Sequence, residues 1–305
     1  MPRSNRKADK VTLRTNRDRL VKISAIGEAA SPVFSRSPYR ISADGQPLVL
    51  PGVGGITFNV RVGDSAVGWM ADHVEPGVSL ENKERDERFP QGANYALNFL
   101  SCVGNEAVVV SGDAKGERGV VTGKHGGIEH VLVDFSGEVM DRMVIGDKVQ
   151  IKAHGVGLKL IDLPDVRVMN LDPGLLDALS PQDAGDGVLA IPVTHVVPAK
   201  IMGSGLGDNN VYSGDYDIQL FDETARKEYG LEGLKLGDLV AISDADHSYG
   251  RIYRQDAVSV GIVVHTDCVV SGHGPGVTTL FTSGTGKIKP MIDPGANIKT
   301  ILHLK

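Results

Sequence analysis

The sequence predicts a mainly β protein: a small closed barrel followed by a second β-rich barrel or sandwich domain, with few and short helices. Three observations predict it. Short segments of alternating apolar and polar residues follow one another at close spacing, as half-buried strands do. Gly 38 and Pro 15 in 305 residues supply many turns without a repeating period. Aromatics make up only 5% of the chain, so its core rests on Val, Ile, Leu and Ala.

In chain order, residues 1–20 carry Arg3, Arg6, Lys7, Lys10, Arg14, Arg17 and Arg19. No apolar stretch follows this charge, so the segment reads as a basic, flexible tail and not as a secretory signal. Residues 21–165 form the expected N-terminal β domain. Its clearest part is a small barrel at about 103–160, built from Val108–Val110, Gly119–Val121, His130–Phe135 and Lys148–Lys152 with Gly-rich turns between them. A closed barrel of such strands leaves no edge exposed. Pro164, Pro173 and Pro181 mark the passage to a C-terminal β-rich domain, residues 166–305. There Asp172 caps a short helix with Pro173 at its first position. The strands expected after it are Val188–Val193, Asp215–Phe221, Asp238–Ile242, Val258–Val264 and Gly276–Phe281. A second short helix runs from Asp222 to Tyr229 and a third covers Tyr95 to Leu100. Val62-Gly63-Asp64, Ile145-Gly146-Asp147 and Leu236-Gly237-Asp238 repeat one turn device, a Gly at positive φ beside an Asp that bonds the turn's own backbone.

The net charge of −6 argues against a surface that coats nucleic acid. Cys102 and Cys268 form no C-x-x-C pair or disulfide framework, which fits a reducing cytoplasm. No apolar run reaches membrane-spanning length.

Polar residues concentrate in the C-terminal half. Asp244, Asp246 and His247 follow the strand beginning at Asp238, while His265, Asp267 and His273 follow the next one. Carboxylates and imidazoles gathered at one rim would suit a divalent metal, which polarises carbonyls and generates hydroxide near neutral pH. Asp246, His247, His265 and His273 are therefore the expected catalytic and metal-ligating residues. Gly272 and Gly274 strip bulk from around His273, so that backbone can approach a ligand. Without the Lys-Ser/Thr of a P-loop, no nucleotide cofactor is expected. Asn209, Asn210, Asp215 and Asp217 border a Gly-rich loop able to line a pocket. In the N-terminal half, Asp72 and His73 with Glu75 form a second polar cluster, and Trp69 could wall it.

Val108 to Val121 resembles the KOW-type opening of SH3-like barrels, which implies RNA binding. More extensively, Asp244-Ala245-Asp246-His247-Ser248-Tyr249-Gly250-Arg251, Gly261–His265 and Gly272–Thr278 resemble the prokaryotic family catalogued as domain of unknown function 4438. That resemblance implies a β-rich, barrel-containing, multi-domain fold and no particular activity. Ile191-Pro192-Val193 and the loop near Asp208 are similar to acetamidase/formamidase-type β proteins, which suggests amidase chemistry. The expected function is metal-assisted hydrolysis of a small amide, lactam or ester with Zn, Mg or Mn. An RNA-binding barrel using the basic tail and a non-catalytic structural homo-oligomer are the alternatives. A small-molecule substrate and a second copy of the chain are the expected partners, in preference to RNA or a membrane.

Overall fold

Six strands close into a barrel, and the way they close shows why the barrel draws on more than residues 103–160. Described in the computed structural model are residues 13–34 and 37–305. Ile23–Ala29, Lys148–Ala153, Glu106–Val109, Arg118–His125, His130–Asp134 and Gly77–Glu81 are hydrogen-bonded neighbours in that order. Pairing of Glu28 with Glu81 and of Ala29 with Leu80 joins the last strand to the first. The four strands within 103–160 would leave Lys148–Ala153 and His130–Asp134 as open edges. Ile23–Ala29 and Gly77–Glu81, from earlier in the chain, cover both. The interior is aliphatic, with Val78, Leu80, Val109, Val121, Val133 and Ile151 all buried. Burying each such side chain stabilises the fold by about 1.5–3 kcal/mol before entropy is counted.

The repeated Gly-Asp turns form as their chemistry requires. Gly63, Gly146 and Gly237 have φ of 96°, 92° and 84°. Each following Asp accepts a backbone N–H three residues back: Arg61 to Asp64, Val144 to Asp147 and Lys235 to Asp238.

The C-terminal part contains a five-stranded sheet in the order Arg167–Val168, Val277–Ser283, Ile252–Val263, Leu239–Asp246, His195–Pro198. A three-stranded sheet of Gln182–Asp183, Leu189–Val193 and Ile288–Ile292 accompanies it. Asp172 caps the helix Pro173–Leu179 by accepting the Gly174 N–H, and Asp222 caps Glu223–Glu228 through the Ala225 N–H. The helix expected at Tyr95 starts earlier, at Gly92. The segment expected as a strand at Asp215–Phe221 forms only isolated bridges, Met202–Ile218 and Asp217–Gly276. Its side chains are committed to a polar centre in place of a ladder.

The two halves share one core. Val62, Val103 and Leu132 pack with Leu239, Ile262 and Leu280. Thr278 Oγ1 accepts the Lys124 N–H and donates to the Lys124 carbonyl, which pins the barrel strand Arg118–His125 to the second sheet. The Lys124 ammonium is buried on Asn170 Oδ1 (2.8 Å) and the Tyr212 carbonyl (2.6 Å). Burial lowers its pKa to about 8.

The described part of the basic segment is not a tail. Arg3, Arg6, Lys7 and Lys10 lie outside the described residues. From residue 13 onward the chain is held: Thr15 bridges Leu160, Asn16 bonds Gly157 and Lys159, Arg14 pairs with Asp162 and Arg17 with Asp177. Among the described residues no helix is long and apolar enough to cross a membrane.

Candidate functional site

A cavity of about 260 Å³ opens where the barrel meets the second sheet, and His73, His125, Asp215, Asp217, Arg251 and His273 line it. All but Asp215 and Asp217 arrive on different pieces of chain. His125 ends the barrel strand Arg118–His125, opposite His130 across the hairpin. His73 sits in a left-handed backbone conformation, φ 58°, that a side chain adopts only when its surroundings enforce it. Here Val74 N–H to Thr266 Oγ1 and His73 N–H to the Asp267 carbonyl fix it. His265 lies just past the strand Ile252–Val263, and Asp215 and Asp217 occupy the bridged segment.

Two groups of donor atoms meet at the cavity, beside a third made by Asp72, His73 and Cys268. His125, Asp215 and His265 place one ligand-type atom each within 4.8 Å of the others, and so do His73, Asp217 and His273. In the first group the outward-facing ring nitrogens are occupied. His125 Nδ1 donates to Glu75 Oε1 at 2.6 Å, and His265 Nδ1 donates to the Thr266 carbonyl at 2.8 Å. Both Nε2 atoms are thereby left for the interior, the tautomer arrangement of metal-ligating histidines. His265 Nε2 lies 2.6 Å from Asp215 Oδ2, yet both buried atoms lack a hydrogen-bond partner. Asp217 connects the groups: Oδ1 is 3.6 Å from His265 Nε2, and Oδ2 is 3.0 Å from His273 Nδ1. His273 Nδ1 also lies 3.1 Å from His73 Nε2.

A layer of acids stands behind the imidazoles. Glu75 is fully buried, accepts from His125, His130, Ser79 and the Gly54 N–H, and is held well below the usual carboxylate range. Burial alone would raise it; the two histidines reverse the sign. Asp72 sits 3.3 Å from His73 Nδ1, pairs with Arg40 and accepts from Cys268 Sγ. Against desolvation, His73 and Cys268 take its pKa down to about 2. Asp215 and Asp217 likewise stay ionised against burial, chiefly through His265. In return they raise His265 well above its ordinary pKa, although burial opposes the charge.

The expected residues divide sharply. His265, His273, His73 and Asp215 converge, and Asp72 supports His73 from behind. Asp246 and His247 do not join them. A bulge between Ser243 and Ala245, with Asp244 at φ 57°, extends the strand through Asp246 and carries both residues to the turn end of the hairpin. There Asp246 pairs with Arg254 and accepts the Ser248 N–H. His247 bonds Thr279 Oγ1, and burial drives its pKa down to about 3. Asn209 does not line the cavity either. Gly274 admits protein backbone where ligand was expected, since a Cβ there would strike the Ile218 carbonyl, whereas a Cβ on Gly272 would meet nothing within 4 Å and only its φ of 81° calls for glycine. Gly276 is the glycine that clears the site, since a Cβ there would clash with Asp215 Oδ2 and His265 Nε2. Trp69 packs elsewhere and donates to the Ser65 carbonyl.

Sequence reasoning missed His125, His130 and Arg251. The signal was present in Lys124-His125-Gly126-Gly127, where a strand ends in histidine and two glycines leave its imidazole uncrowded, as at Gly272-His273-Gly274.

Comparison with known proteins agrees with this architecture. A crystal structure of TM1086 is similar to the chain at 50% sequence identity and a TM-score of 0.89, over 96% of this chain and 99% of that one. Among curated proteins nothing matches. Residues 39–177 match the N-terminal model of domain of unknown function DUF4438, and residues 179–302 match its C-terminal model. The chain belongs to the DUF4438 family.

Proposed function

We propose that this chain is a metal-assisted hydrolase of a small amide, lactam or ester, working in the cavity between the barrel and the second sheet. One observation carries the reading. His125 and His265 are held with their outer nitrogens bonded, and the buried His265 Nε2 and Asp215 Oδ2 stand 2.6 Å apart with no hydrogen-bond partner of proper geometry. A proton on His265 offsets Asp215 in that low-dielectric interior, and a divalent cation would take that proton's place among the same atoms. Two imidazoles and one carboxylate suit zinc better than magnesium or manganese, which favour all-oxygen sites.

A divalent cation there supplies Lewis acidity toward a carbonyl. The chain's own groups do the rest. Water adds its oxygen to the carbonyl carbon, the C–N or C–O bond breaks, and the departing atom takes a proton. His273, with 36% of its side chain exposed at the cavity and bonded to Asp217, is positioned to carry that proton. The alternative RNA reading is weakened in the described part of the basic segment, where Arg14 and Arg17 are already paired with Asp162 and Asp177.

The test is hydrolysis of a panel of small amides, lactams and esters before and after chelation. Activity should vanish with chelator, return with zinc and be absent in His125→Ala. Glu75→Gln should weaken zinc about 10–100-fold, the usual effect of losing a residue that orients a ligand. Hydrolysis indifferent to chelator would sink the reading.

A further inference from the structure

Among the described residues Arg251 is the one arginine or lysine that lines the cavity, and the hydrolytic reading leaves it without a task. It is 1% exposed, yet its guanidinium is poorly satisfied. Of its five donors, one reaches the Ser213 carbonyl at a long 3.4 Å. The nearest carboxylate, Asp208 Oδ2, stands at 3.7 Å and belongs to a half-exposed side chain. Nε has no partner at all. Burial disfavours the charge, and Asp215 and Asp208 attract it without giving the guanidinium a full set of hydrogen bonds, so an anion that bonds it directly would complete it. The backbone holds it in place: the Arg251 N–H donates to the Asp208 carbonyl, and the Arg251 carbonyl accepts the Gly207 N–H.

From this geometry we infer that Arg251 receives the carboxylate of the substrate, so that the compound hydrolysed is a small amide, lactam or ester bearing a free carboxylate. The inference rests on the hydrolase reading for its reaction and on Arg251 for its specificity. A planar guanidinium with free donors matches a carboxylate through two parallel hydrogen bonds. Phosphate shares that geometry, but Asp208, Asp215, Asp217 and Glu129 also line the cavity. A dianion would meet their repulsion twice over, with no second arginine or lysine among the lining groups to offset it. The volume of about 260 Å³ falls below the about 300–1,000 Å³ common for drug-sized ligands, which limits the substrate to a compact molecule.

The experiment is calorimetric titration of the full chain, its metal content measured on the same preparation, with N-acetylglycine, neutral N-acetylglycinamide and inorganic phosphate. The acid should bind about tenfold or more tightly than the amide, the scale of one charge-assisted hydrogen bond. Arg251→Gln should lose that preference while keeping its affinity for the amide, and Arg251→Lys should keep part of it. The acid-to-amide comparison on the unmodified chain stands even if a variant fails to fold. Equal affinity for acid and amide, no measurable binding of the acid, or phosphate binding more tightly than the acid would each overturn the inference. A bound cation with no acid preference defeats this inference alone. An Arg251-dependent preference in a protein that binds no cation defeats the hydrolase reading alone.

Discussion

A histidine's role here depends on what its outer nitrogen meets. His125 and His265 each give one N–H to a fixed acceptor, Glu75 or the Thr266 carbonyl, and keep a second nitrogen facing Asp215. His247 gives Nδ1 to Thr279 Oγ1 but sits against the Tyr216 ring, with Arg251 opposing its protonation more than Asp246 favours it. It is a neutral core residue. Because its folded pKa of about 3 lies below the unfolded 6.5, the native state resists the proton that the unfolded chain accepts. The stability this provides is complete above pH 6.5 and disappears as pH falls toward 3. At 1.36 kcal/mol per unit, about 2 kcal/mol should be lost between pH 6.5 and 4.5 through this residue. Urea unfolding across that range should show a clearly shallower slope for His247→Gln. An unchanged slope would mean that another group carries the acid sensitivity.

Among the elements, the three Gly-Asp turns show how one local device acquires different weight from its surroundings. A Cβ on Gly146 would meet nothing within 4 Å, whereas on Gly63 it would meet the Lys299 stem, and on Gly237 Val62, Ile298 and Asn297 together. Gly146→Ala should therefore cost only the left-handed backbone penalty of about 1–2 kcal/mol. Gly237→Ala should add about 1–3 kcal/mol of overpacking, with Gly63→Ala between them because a lysine stem can move. Denaturation midpoints of the three variants test the order, and equal losses would contradict it. These turns were legible in the sequence because Gly and Asp act on their own neighbours. So were the capped helices at Asp172 and Asp222 and the aliphatic strands of the barrel. What the sequence hid was tertiary: that Ile23–Ala29 closes the barrel, that a bulge at Asp244 turns Asp246 and His247 away, and that Asp215–Phe221 forms no ladder. Each was decided by partners many residues distant, which periodicity cannot register.

At the scale of the whole molecule, the candidate site exists only because two β systems are fused. His73, Glu75 and His125 come from the barrel half, whereas Asp215, Asp217, His265 and His273 come from the other. The Lys124–Thr278 pin and the core running from Val62 to Leu280 hold the halves in register. That dependence explains why His265, His273 and His73 could be picked out singly while the group they form could not. The glycine that makes room for it, Gly276, was visible only as part of a loop. The most direct test of the account is elemental analysis of the full chain purified without chelator, alongside folded His125→Ala and His265→Ala. The account predicts at least about one zinc per chain in the parent protein and a large loss in both variants. A parent protein that carries no divalent metal and gains no thermal stability when zinc is added would contradict it.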